Sequence, residues 1–73
     1  MTLAPEATLG DLRATLALSE DEASRQLGIG THALRALEAT RLDRVTVGTL
    51  RLYAQGLGGV LELAMPDGRR VRL

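Results

Sequence analysis

Four short amphipathic helices, with a helix-turn-helix among them, followed by a C-terminal β-hairpin make up the mainly α fold that the sequence predicts. Three observations predict it. A hydroxyl residue stands three positions ahead of an acid at Thr8 and Asp11, and again at Ser19 and Glu22, so each pair can satisfy free backbone N–H groups at a helix start. Apolar residues then recur at helical spacing, with glycines placed where helices would stop. From Val60 to Leu73 the period becomes alternating, and it is interrupted by the turn sequence MPDG.

The first helix is expected to open after Thr8 and to run to about Leu18, with Leu9, Leu12 and Leu16 on one face. The second runs from Glu20 to Leu27, with Ala23 and Leu27 inward, and is ended by Gly28. The third runs from Thr31 to Ala39 with Leu34 and Leu37 inward, and Ile29 plugs the turn between the two. Ala23 and Ser24 are small where two helices would cross closely. RLDRV is a polar connector. Thr46 then caps a fourth helix with Val47, Leu50, Ala54 and Leu57 inward, closed by Gly58 and Gly59 and weakened in its last turn by Gly56.

In the tail, a three-residue loop of Pro66, Asp67 and Gly68 would set Leu63 opposite Val71, Leu61 opposite Leu73 and Glu62 opposite Arg72. Two strands alone are marginal in water. The hairpin is therefore expected either to lie on the helices or to extend a sheet with a second copy of the chain. The shared sheet is the preferred reading, with the apolar face covering helix four. The whole chain, 1–73, reads as a single domain, 8–59 helical and 60–73 a candidate dimerisation element.

Composition narrows the function classes. The chain has 73 residues, no cysteine and one histidine, which leaves no thiolate metal site and no disulfide. A core of this size supplies only ~3–5 kcal/mol without staples, which points to a partner subunit. No apolar run approaches the ~20 residues that span a bilayer, and MTLAPEATLG lacks the basic start of a secretory signal, so a soluble cytoplasmic protein is expected, with no membrane partner. Nine arginines balance nine acids, with no lysine. The balance is uneven along the chain: residues 1–33 hold five acids against two arginines, and residues 34–73 hold seven arginines against four acids. Such a field can steer one face toward phosphate.

The helix pair supplies the candidate site. With Leu34 and Leu37 inward, Thr31, His32 and Arg35 point away from the core and form a reading surface on a protruding helix N-terminus. Such an end suits a major groove, where its first residues meet base edges and its N–H groups meet phosphate. Arg35, one turn beyond Thr31, is the expected base reader, because its forked donors match guanine. Thr31 could cap the helix, touch phosphate or do both, and His32 is a candidate phosphate or base contact. Arg41 and Arg44, on the connector, could clamp the DNA backbone without specifying sequence. Arg69, Arg70 and Arg72 are expected only to solubilise a sheet edge.

Catalysis finds no support. GIGTHA superficially matches a dinucleotide fingerprint, but it follows a helix rather than a strand, in a chain too short for the required strand-helix-strand units. The sole histidine has no triad, since Ser19 and Ser24 fall at a cap and a helix contact. No enzyme, cofactor or metal is expected.

LSEDEASRQLGIGTHALRALE, residues 18–38, resembles the phage-repressor-like (Cro/XRE) helix-turn-helix family, and the likeness extends over roughly residues 8–63. The run VTVGTLRLYAQGLGGVLEL, Val45 to Leu63, is similar to the fourth helix and first strand of its small antitoxin-type members. The resemblance implies a short homodimeric repressor, often encoded beside a toxin, that binds a palindromic operator in double-stranded DNA and sometimes the toxin. It places Thr31, His32 and Arg35 at groove-facing positions and makes Glu38 the acid that closes the helix pair. It also puts Glu20 where members often carry a glutamine that approaches phosphate, so the acid is expected to be repelled there. The competing expectation is a protein-interaction module on the same scaffold, using the acidic run Glu20, Asp21 and Glu22 or the hairpin edge.

Overall fold

The chain builds the predicted architecture, and the computed structural model describes residues 3–73 of it. Helices α1 (Leu9–Thr15), α2 (Glu20–Leu27), α3 (Thr31–Glu38) and α4 (Val47–Gly56) precede strands β1 (Glu62–Ala64) and β2 (Arg70–Arg72). Both capping boxes form: the Thr8 hydroxyl accepts from the Asp11 N–H at 3.2 Å, and the Ser19 hydroxyl accepts from the Glu22 N–H at 3.1 Å. Thr46 caps α4 in the same way through the Thr49 N–H, at 3.2 Å.

Helix α1 stops three residues short of its expected end. Leu16 and Ala17 donate to carbonyls three residues back, Arg13 and Ala14, which tightens the last turn. Ala17 then takes a left-handed φ of 57°, which turns the chain away from the helix axis and leaves Leu16 half in solvent rather than in the core. Arg13 secures this corner by donating through Nη1 to the Leu18 carbonyl at 2.8 Å.

The core is narrower than apolar periodicity suggests. Leu9, Ala23, Leu34 and Tyr53 are the buried hydrophobic residues among those described. Leu27, Leu37, Leu50, Ala54 and Leu57 are half-buried, while Val47, expected inward, is exposed. Tyr53 takes the central place on α4 that the helical pattern assigned to its neighbours. Its ring fills the space between helices, and its hydroxyl donates to Glu38 and lies 3.3 Å from the Leu9 carbonyl. Glu38 in turn receives Arg13, whose Nε lies 2.9 and 2.8 Å from the two carboxylate oxygens. The acid expected to close the α2–α3 pair instead binds α3 to α1 and α4.

Helix α3 packs on α1 and α2, and α2 packs on α4. The connector after α3 is not a free loop: Leu9 donates to the Thr40 carbonyl at 3.0 Å and Leu42 to the Ala7 carbonyl at 2.7 Å, in an antiparallel bridge between Thr8 and Arg41.

The hairpin has the anticipated register, pairing Glu62 with Arg72, Leu63 with Val71 and Ala64 with Arg70. Met65 donates to Arg69 at 2.8 Å and Leu73 to Leu61 at 2.8 Å, so Pro66, Asp67 and Gly68 form the loop, with Gly68 at a φ of 90° that side-chain-bearing residues resist. Within one chain, however, its apolar face does not cover helix four. All six strand residues are exposed, and so are Val60, Met65 and Leu73 around them. The described molecule is elongated, 40 × 23 × 22 Å.

Burial, the Glu38 hydrogen bond and the Glu38 charge all push the Tyr53 hydroxyl well above the ordinary phenol range, against a smaller opposing effect of Arg13. The unfolded chain would ionise this group near ~10. Native stability from Tyr53 is therefore complete below that value and lost progressively as pH rises above it, because only the unfolded state releases the proton. Tyr53 is the sole tyrosine. Alkaline titration followed by tyrosinate absorbance should show ionisation coinciding with loss of helical circular dichroism, not preceding it.

Candidate nucleic-acid interface

Helix α2 ends at Gly28, whose φ of 69° is left-handed and costs a glycine little. The chain reverses there within three residues, and Ser24 fixes the turn. Its hydroxyl donates to the Ile29 carbonyl, and the Ile29 N–H returns to the Ser24 carbonyl at 3.1 Å. Ser24 is buried, so this is a hydrogen-bonding role as well as the close-packing role that its size suggested.

The next helix opens differently from the other three. Its N-cap is Gly30, in extended geometry with no side-chain cap hydrogen bond. The predicted capping role of Thr31 is thus not realised, because Thr31 is the first helical residue and the cap position has already passed. The first intrahelical bond runs from the Leu34 N–H to the Gly30 carbonyl at 2.9 Å. N–H groups of a first turn have no intrahelical acceptor, so without a capping side chain they are open to an external anion. Thr31, His32 and Ala33 around that end are all exposed.

Arg35 lies on the same outer face, but it is not free. Its Nε donates to Glu20 Oε2 at 2.9 Å, with 68% of the arginine side chain and 39% of the glutamate exposed. The acid at the start of α2 thus has a cationic partner on α3. Sequence reasoning treated Glu20 as a charge facing phosphate and missed the pairing. The signal available was complementary charge between the first residue of one helix and an outward residue on the next, in a motif whose turn brings the two together.

The connector cations differ from one another. Arg41 Nη2 pairs with Asp43 at 2.5 Å, which leaves it partly neutralised. Arg44 is exposed and makes no ion pair among the described residues. The Thr8–Arg41 bridge holds Arg41 on paired backbone, and the Arg44 N–H donates to the Arg41 carbonyl at 3.0 Å. Arg69 pairs with Asp67 at 2.6 Å and Arg70 approaches Glu62 at 4.0 Å, both on the hairpin. The structure therefore gathers Thr31, His32, Arg35 and Glu20 on the helix pair and sets Arg41 and Arg44 at the far end of α3.

With this geometry in place, comparison with known proteins gives one informative likeness. The chain is similar to the solved structure of a HigA antitoxin that induces DNA bending by a unique dimerization, at 27% identity and a TM-score of 0.73, over 100% of this chain and 96% of that one. The fold is an antitoxin-type helix-turn-helix fold. No protein-family model and no curated protein matches the sequence. Among the described residues, no helix is long and apolar enough to cross a membrane.

Gly30 has an ordinary negative φ of −71°, and a Cβ there would meet nothing within 4 Å. Gly30→Asp should therefore supply the missing acceptor and raise stability by a few tenths of a kcal/mol, roughly the margin by which capping side chains exceed glycine. Thermal unfolding checks this.

Proposed function

We propose that this chain is a sequence-specific DNA-binding transcriptional regulator, a cytoplasmic homodimeric repressor of antitoxin type folded as a single domain over residues 1–73. The observation that carries the reading is the exposed, uncapped start of α3 with Thr31, His32 and Arg35 around it. Open N–H groups and a positive helix end favour phosphate, while Arg35 and His32 offer donors to base edges. Likeness to a DNA-bending antitoxin supports the same assignment and agrees with a non-catalytic role.

In this reading Thr31 and His32 meet phosphate or the first bases, Arg35 reads guanine, and Arg44, with Arg41 as a weaker contributor, holds the backbone. Dimerisation supplies the second reading helix, about one helical turn of DNA (~34 Å) from the first, and a palindromic operator follows from two-fold symmetry. The uncovered apolar hairpin, Leu63 and Val71 at its centre, is the element through which two copies join. A toxin is the partner that the antitoxin likeness brings into consideration.

A second reading, a protein-interaction module, draws support from Asp21 and Glu22, which are exposed at the start of α2 and make no ion pair among the described residues. Charge reversal separates the two. Reversing Arg35 and Arg44 abolishes binding to DNA in the first reading, and reversing Asp21 and Glu22 abolishes partner capture in the second.

Titrating the full chain against duplexes recovered from a randomised pool should give affinities that fall steeply with salt. Arg44→Ala should weaken every duplex alike and lower the logarithmic salt slope by about one, whereas Arg35→Ala should cost ~1–3 kcal/mol of discrimination at one base position. Salt-insensitive binding would contradict phosphate contact. In sedimentation the wild type should be a dimer at micromolar concentration, and Leu63→Glu with Val71→Glu should yield monomers that have lost preference for paired half-sites. A wild-type monomer under those conditions would remove the shared sheet.

A further inference from the structure

We propose that Glu20 is a positioning residue for base recognition, holding Arg35 in the orientation that presents its terminal amino groups to a guanine. The proposal rests on the DNA-binding reading above and assigns the acid a part in specificity that its charge alone would deny. The bond is made by Arg35 Nε, at 2.9 Å from Glu20 Oε2, and the two terminal amino groups of Arg35 make no hydrogen bond to protein among the described residues. A guanidinium has five N–H donors in a fixed planar fork. Anchoring it by Nε leaves the outer edge of the fork, the edge that can span O6 and N7 of guanine, without a protein partner among the described residues.

Arg35 is otherwise a long side chain, 68% exposed, on an outward helix face. An unrestrained side chain of this type loses rotamer freedom on binding, and a partner that fixes it beforehand removes part of that loss. Glu20 is suited to this because it sits at the first position of α2, where the helix end favours a carboxylate and the Ser19 cap fixes the backbone. An exposed ion pair contributes little to folding stability, so its consequence lies in where the guanidinium points. The same carboxylate also carries negative charge toward the DNA. Two effects of opposite sign on binding follow: repulsion for every duplex, and orientation for those with guanine at the position Arg35 reads.

Glu20→Gln and Glu20→Ala separate them, since both remove the charge and only glutamine keeps an oxygen that Arg35 Nε can reach. The probes are the best duplex from a randomised pool and its counterpart with the guanine replaced, titrated against the full chain, with tyrosine fluorescence and circular dichroism confirming that each variant is folded. Both variants should bind the duplex that lacks the guanine more tightly than the wild type does. Glu20→Gln should keep most of the guanine preference, Glu20→Ala should lose about tenfold of it, and in an Arg35→Ala background neither change should alter preference. Equal preference in Gln and Ala variants, with only a uniform gain in affinity, would make Glu20 a plain repulsive charge and overturn the proposal while leaving the DNA-binding reading intact. Failure of the wild type to select any duplex would overturn that reading, and the proposal with it.

Discussion

One buried carboxylate organises this small fold. Glu38, in the last turn of α3, lies where the helix end disfavours negative charge and where burial alone would carry a large desolvation penalty. Arg13 on α1 and Tyr53 on α4 supply the compensating donors, so three helices share one polar knot within an otherwise apolar interior. No buried side-chain nitrogen or oxygen among the described residues lacks a partner. Removing any one member of such a set strands the others, leaving a buried charge or donor without its partner.

The position of that knot has a mechanical meaning. Helix α3 is gripped along its inner face, by Leu34 at its middle and Glu38 at its C-terminal end, while its first residues, Thr31 to Ala33, are exposed and uncapped. It is anchored on one side and presented at its N-terminus. The Ser24–Ile29 exchange sets the angle at which it emerges, and the bridge between Thr8 and Arg41 holds Arg41 beyond its far end. Anchorage and presentation thus come from different residues. The surface that meets a ligand can vary without disturbing the core.

Much of this was legible in the chain because local rules decide it. Caps at Thr8, Ser19 and Thr46, the turn at Gly28 and the hairpin loop at Pro66 to Gly68 depend on nearest neighbours, and each lies where spacing placed it. Long-range choices were not legible. Tyr53 is a single aromatic residue in a helix whose apolar pattern also fits Val47 and Leu57, and only the existence of Glu38 and Leu9 as partners makes its burial the better solution. The early end of α1 depends on Ala17 adopting a backbone angle that alanine rarely takes. Of the candidate site, the outward face of α3 was readable from periodicity. The engagement of Arg35 by Glu20 was not, because it requires knowing which side chains on separate helices come within reach, and the local pairing of Arg41 with Asp43, two residues apart on the connector, was overlooked.

The two open edges of the hairpin are electrically unlike. A second β2 laid antiparallel on the first, centred on Val71, would set Arg70 of each copy opposite Arg72 of the other, and directly opposed like charges destabilise a strand pair. Two β1 strands centred on Leu63 would instead set Glu62 opposite Ala64, with no such penalty. The like-charge penalty between two copies therefore falls on a β2-to-β2 contact and is absent from a β1-to-β1 contact.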